Sequence, residues 1–457
     1  MVKLTRRGFL AGGAAAALGA AGVYELVDHL AGSGPTRPAG RLLPEQHLLE
    51  GVRIVHHDGV EVLVPPLHHQ IVTARVTADP RSLLEAQGTL EDILGGLEDD
   101  YQPTPAGLGI TVAWGLPYFE RFVADQADSY LPHDLRAQKS VLLEARRFPS
   151  DPDETVLEQN DVAILLRSDV RDHVDDALAR LREASLLEIT SLRRGFAGGG
   201  FEGGSSLPKQ MAMSAGVPGA DLIPDTSELF LGFTSTQRAG LGPGKIANFE
   251  TLGLADLRGT EYFANGTHMH LSHVTEDLEA WYINFDFDER VTTAFRPGLQ
   301  VKPNVQTVAQ GPKEAQSEAD VRRDFERTGR IGHSAAIQVT SRLQADRTGP
   351  DGTRYPKGTA IPIRADFNTL DNPFEFSDRP GGLEGGPAAG IHFVVFNPTS
   401  DDFHRNRLAM DGVLPDGKLP LEPRDRNQGF NSVLRTTHRQ NFLVPPRRHR
   451  SLPLAEI

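Results

Sequence analysis

The feature that most constrains the fold is a local grammar used twice. Residues 161–169 form a short, Leu-rich apolar run between acidic ends, and residues 170–183 follow with Val174, Leu178 and Leu181 on one helical stripe. Far downstream, residues 390–397 form another apolar run that ends at Pro398, and residues 401–410 follow with helical character. A strand that feeds directly into a helix tends to lay that helix back on its own sheet. The repetition therefore predicts two halves, each of antiparallel strands with helices packed on one face.

Other segments fit this plan. Residues 71–77 are β-branched and stop at Asp79-Pro80, after which Leu83, Leu84, Ala86, Leu90, Ile93 and Leu94 recur at helical spacing. Residues 109–115 read as a further strand. The expected class is α+β with two ferredoxin-like halves, residues 61–225 and residues 226–457. With 457 residues the chain is long enough to bury a substantial core.

Composition narrows the chemistry. There is no cysteine, which excludes disulfides, thiolate nucleophiles, iron–sulfur clusters and thiolate-ligated haem. Any metal must be held by histidine, carboxylate or hydroxyl. Lys+Arg 47 against Asp+Glu 61 gives a net charge of −14, so nonspecific binding to nucleic acid or anionic lipid is not expected.

The first 31 residues read as an export segment outside the fold. Thr5-Arg6-Arg7-Gly8-Phe9-Leu10 is a twin-arginine signal, and the small, weakly apolar run over residues 11–23 is too short for a span of ~20 residues. This predicts handling by the twin-arginine export machinery and a periplasmic, cell-surface or extracellular location. The route carries folded proteins, often with a cofactor inserted. Cleavage is expected after Gly19 or Ala20, or nearer Gly32. Residues 32–60 read as linker and N-terminal extension, with folding expected to begin between His47 and Gln70.

The 16 histidines make imidazole the candidate ligand. His268 and His270 share a face if residues 268–273 form a strand, so His268, His270 and His273 suggest a non-haem metal site. The plainer reading turns Met269 and Leu271 to the core and leaves the histidines to solvent or a partner. His56-His57 and His68-His69 read as surface or packing pairs. His333 sits among small residues in Gly332-His333-Ser334-Ala335-Ala336, and Arg364 ends the apolar run Ile361-Pro362-Ile363. Arg447-Arg448-His449-Arg450 reads as a solvated basic tail.

The order of several segments resembles that of the dye-decolourising (DyP-type) peroxidases. These are residues 109–119, 160–183, 228–233, 266–281, 390–396 and 442–446. The resemblance implies a dimeric α+β barrel architecture, haem b (iron protoporphyrin IX), hydrogen peroxide as oxidant, an unknown electron donor, and a homo-oligomer joined through sheet edges. It makes His333 the proximal iron ligand and Arg364 the distal arginine, with Gly232 and Phe233 at the cofactor. Trp281 and Tyr282 would be surface electron relays.

One departure stands out. Where the family has Gly-Phe-x-Asp-Gly, this chain has Gly232-Phe233-Thr234-Ser235-Thr236, so Ser235 replaces the proton-shuttling acid. A hydroxyl without an activating neighbour is a poor base at pH 7, and general acid–base help is typically worth ~10²–10⁴-fold. Asp366 and Glu202 are candidate substitutes. No carboxylate stands in sequence beside Asn431 and Ser432, where a partner for the proximal imidazole is expected. The implied function is an exported haem peroxidase; a noncatalytic haem carrier and a non-haem His-ligated metal protein remain open.

Overall fold

The computed structural model describes residues 24, 26–31, 42–57, 60–198, 205–233, 249–259, 261–299, 316–349, 352–376 and 386–457. Ser235, Glu202 and the twin-arginine motif lie outside the described residues.

The first half runs β1 (His68–Val76), α1 (Leu83–Asp100), β2 (Gly109–Gly115), β3 (Val162–Ser168), α2 (Arg171–Glu183) and β4 (Leu187–Phe196). The second half runs β5 (Thr267–Glu276), α3 (Leu278–Asn284), α4 (Phe287–Ala294), α5 (Glu318–Thr328), α6 (His333–Ser341), β6 (Phe367–Thr369), β7 (Gly390–Asn397), α7 (Ser400–Met410) and β8 (Leu434–Val444). The strands of the first half lie in the order β4-β1-β3-β2 and those of the second in the equivalent order β8-β5-β7-β6, all antiparallel. Each half is thus ferredoxin-like, and the class is α+β as expected.

The two sheets close on each other. β6 meets β4 at Asn368↔Phe196, and β8 meets β2 at Phe442↔Gly115 and Leu443↔Trp114. The inward positions of both halves, among them Ile71, Ala113, Ala163, Leu165, Met269, Leu271, Val394, Phe396, Phe442 and Val444, form one apolar centre. α1 and α2 cover the outer face of the first half through Leu90, Leu94, Leu97, Val174, Leu178 and Leu181. The outer face of the second half, partly covered by α7, is where the candidate site lies.

Three expectations change. Tyr24 and the helix Leu26–Ala31 belong to the fold: Val27 is fully buried, and the Tyr24 hydroxyl accepts from the Leu370 amide at 2.9 Å and bonds the Thr369 hydroxyl at 3.0 Å. Their apolar faces seat in a core shared by the two halves, with Phe196, Leu207 and Met211 from the first and Leu278, Trp281 and Leu370 from the second. Folding also resumes before His47, because the Gln46 amide accepts from the Val112 N–H and donates to the Pro445 carbonyl between two strands. Finally, the C-terminal arginines are not a solvated tail. Arg450 is buried, and it shares Glu98 with Arg447 while also binding Glu91 at 2.8 Å. Among the described residues no helix is long and apolar enough to cross a membrane.

Candidate functional site

His333 is the first residue of α6, and backbone crowding selects the small residues around it. A side chain on Gly332 would place its Cβ 2.5 Å from the Phe295 carbonyl oxygen, the same oxygen that accepts from the Ala335 amide at 2.9 Å. Gly429 has φ +71°, and a Cβ there would lie 3.3 Å from the His333 Cβ. The Phe430 ring stands 4.8 Å from the imidazole. His333 is densely surrounded yet keeps partial accessibility. Its ring makes no hydrogen bond among the described residues. Burial first, then the charges of Arg364 and Arg407, push its pKa down to about 3, so the imidazole is neutral with its lone pair available.

Arg364 reaches this site because the apolar run around it breaks. Residues 361–367 form the two-residue strand Ile363–Arg364, then β6 begins at Phe367. Ile363 and Ala365 point into the barrel, which puts Arg364 and Asp366 on the outer face by alternation. Their side chains form an ion pair at 3.9 Å. The same alternation along β5 puts His268, His270, Ser272 and Glu276 on that face. Glu276 is only 8% exposed, and its Oε2 has no hydrogen-bond partner among the described residues. Burial, then the charge of Asp366, pushes its carboxyl up to about 8.

Gly232 and Phe233 act as scaffold. Gly232 has φ +87°, and a Cβ there would lie 2.9 Å from the Tyr282 hydroxyl. Phe233 packs edge-on to Phe295 at 5.0 Å, so it supports the same residue whose carbonyl holds α6. Trp281 and Tyr282 are not surface relays. Trp281 is fully buried and donates to the Leu231 carbonyl at 3.0 Å, and Tyr282 donates to the Phe230 carbonyl at 2.7 Å. These bonds fasten the glycine turn to α3.

A carboxylate does come up beside Asn431 from elsewhere in the chain, but it bonds Asn431 and Arg407 and not the His333 imidazole. Asn431 donates to Asp411 at 2.8 Å, and Arg407 binds the same carboxylate oxygen at 2.9 Å. Arg407, whose charge reaches the His333 imidazole and which is itself held by Asp411, is the site residue that sequence reasoning missed. The histidine-rich strand is also corrected. His268 and His270 are buried, not solvated, with the His270 ring stacked on Phe403 at 3.4 Å, while His273 lies on the opposite, inward face. That alternation separates the three residues of the non-haem proposal, and among the described residues no group of three His, Asp or Glu side chains is placed to hold a metal ion. His68 and His69 are packing residues: His69 bonds the Pro66 carbonyl at 2.9 Å and His68 pairs with Asp28 at 2.6 Å.

A family model described as a family of unknown function, DUF7405, matches residues 66–446. The chain belongs to that family. The DUF7405 match starts just before β1 and ends just after β8, so it takes in the closed barrel and both walls of the site. No curated protein matches the chain. Among solved structures, a DyP-type peroxidase from Cellulomonas bogoriensis is 17% identical at a TM-score of 0.50, covering 89% of this chain and 96% of that one. The encapsulated DyP-type peroxidase from Mycobacterium smegmatis is 14% identical at a TM-score of 0.48, covering 85% and 96%. A DypB variant from Rhodococcus jostii RHA1 in complex with heme is 12% identical at 0.48, covering 85% and 95%. At these identities the likeness shows the fold of this DUF7405 chain, and its chemistry must be argued from its own residues.

Those residues fit a haem. The neutral imidazole without a hydrogen bond on α6 is a donor that iron can use, the small residues beside it leave its ring partly accessible, and the charge of Arg364 reaches it.

Proposed function

We propose that this chain is an exported haem b protein that uses hydrogen peroxide to oxidise an unidentified electron donor. The observation that carries the reading is His333: a neutral, unbonded imidazole at the start of a helix, within electrostatic reach of an arginine on the outer sheet face. The shared fold with DyP-type peroxidases supports it, and the twin-arginine motif supports export.

His333 would hold the iron, and the haem would supply the electron exchange with peroxide. Arg364 orients peroxide and stabilises the negative charge that develops as its oxygen–oxygen bond breaks. Hydrogen peroxide takes two electrons from the donor and two protons and leaves as two waters. Asp366, which pairs with Arg364 at 3.9 Å, would move the proton in place of the motif acid that Ser235 replaces in the sequence. Gly232 and Phe233 keep α6 in position through Phe295.

A second reading, a haem carrier without turnover, is favoured by one observation, the replacement of the motif acid by Ser235. Hemin titration of purified protein tests the first step. A Soret band that saturates at one hemin per chain and weakens at least ~10-fold in affinity in His333→Ala is the expected result; identical binding in that variant overturns the assignment. Peroxide turnover by the loaded protein then separates peroxidase from carrier.

A further inference from the structure

We infer that Arg167 is the centre of an anion-binding site inside the barrel, for a small monovalent oxyanion that carries one hydroxyl, of the size and shape of bicarbonate. The inference is independent of the haem reading, whose arginine stands on the outer face of the other half.

Arg167 lies on β3 in step with Ala163 and Leu165, so its side chain points into the barrel, where it is fully buried. A guanidinium taken out of water needs a counter-charge, and a methionine of similar length would fit here with less penalty. Among the described residues no carboxylate pairs with it. Its Nη2 donates to the His47 carbonyl at 3.1 Å and to the Thr111 hydroxyl at 3.2 Å, both neutral. Nε and Nη1, which carry three N–H bonds between them, have no partner. Burial pushes the group down to about 9 with no neighbouring charge to raise it, so it is still cationic at neutral pH. Glu250 is engaged elsewhere, by His47 Nε2 at 3.1 Å.

His69 stands directly opposite Arg167 across the β1–β3 ladder and, in step with Ile71, also points inward. Its Nε2 donates to the Pro66 carbonyl at 2.9 Å, which fixes the tautomer and leaves Nδ1 as a bare lone pair. Burial first, then the charge of Arg167, push the ring down to about 3, so it stays neutral. Its Nδ1 is buried and has no partner either. A cation with three spare donors therefore sits beside a neutral acceptor that lacks a donor. Water would satisfy the hydrogen bonds and leave the charge uncompensated. Chloride or nitrate would supply the charge and leave the lone pair of His69 unused. A hydroxylated oxyanion does both, its oxygens accepting from the guanidinium and its hydroxyl donating to His69 Nδ1. Residues 42–49 cover this end of the barrel, with Leu43 and Leu48 in the apolar centre and Gln46 bonded to Val112 and Pro445, so the anion would be enclosed as the chain folds.

The test is equilibrium urea unfolding of the full chain with bicarbonate, nitrate or chloride added at constant ionic strength. Bicarbonate should raise the midpoint progressively with its concentration, as a ligand of the folded state alone does, and nitrate and chloride should bind at least ~10-fold more weakly. Arg167→Met should lose the dependence. His69→Phe, which keeps a ring against Phe367, should reduce bicarbonate to the level of nitrate. Wild-type chain refolded with isotopically labelled bicarbonate should retain one label per chain through gel filtration, a readout that does not depend on either variant folding. No bicarbonate-specific shift together with no retained label shows that the slot holds water alone and overturns the inference. Equal shifts from bicarbonate and nitrate in the wild-type chain remove the role of His69 and overturn it as well.

Discussion

Arg407 is the residue on which most of the site's buried charge converges. Its guanidinium binds Asp411 at 2.9 Å, reaches Asp151 at 3.4 Å and also binds the Ser150 hydroxyl, and both carboxylates are fully buried. Removing it leaves the buried Asp411 with only the neutral donors Asn431 and the Ser150 amide, whereas Asp151 keeps Arg439 at 2.6 Å. Arg407→Met should therefore cost ~3–5 kcal/mol in urea unfolding, and Arg407→Met combined with Asp411→Asn should cost clearly less than the sum of the single changes. A charge-independent additive result would show the pair to be decorative. At this scale legibility was uneven. His333 and Arg364 stood out because small or apolar neighbours isolate them in the sequence. Glu276 did not, because Val274-Thr275-Glu276-Asp277 reads as a strand end followed by a helix cap, and Asp277 does cap α3 by accepting from the Ala280 amide at 2.9 Å. What buries Glu276 comes from chain far away, near Ala389 and Val433. Arg407 and Asp411 were hidden for the same reason.

Among elements, regular strands and amphipathic helices were readable and short or borrowed pieces were not. α2 and β7 were expected at nearly their observed limits because periodicity alone specifies them. The run around Arg364 reads as one strand, yet pairing with β7 at Phe396 and Val395 and then with His392 to Gly390 leaves Ala365 and Asp366 between two short strands. The helix Leu26–Ala31 looked like the tail of an export segment, since small and apolar residues serve both purposes. Its burial makes a sharp prediction. Deleting residues 1–23 should leave the melting temperature nearly unchanged, while deleting residues 1–31 should remove ~3 kcal/mol, from the burial of Val27 and the hydrogen bonds of Tyr24. Equal melting temperatures for the two truncations would show that the helix does not contribute.

For the molecule as a whole, the buried titratable groups set opposing slopes of stability with pH. His69, His268, His270, His273, His392 and His404 are all held below the ordinary imidazole value by burial. The unfolded chain binds their protons more readily, so stability is lost as pH falls below ~6.5. Burial also raises Glu276 to about 8, Asp371 to about 7 and Asp402 to about 6. Their contribution is complete below the unfolded carboxyl value and is lost as pH rises through those folded values. Thermal melting of haem-free protein should peak between about pH 6 and 7, with the steeper decline on the acid side. A plateau extending down to pH 4 would contradict the buried, neutral histidines.

The closure of the two sheets has a consequence for how the halves of this molecule are joined. Each of the eight barrel strands has a strand neighbour on both flanks, but the seams between the halves are short, with one residue pair between β4 and β6 and two between β2 and β8. The ring is thus closed by two narrow clasps, and a change at Phe196 or at Trp114-Gly115 would act on the joint between the halves and not on either sheet alone.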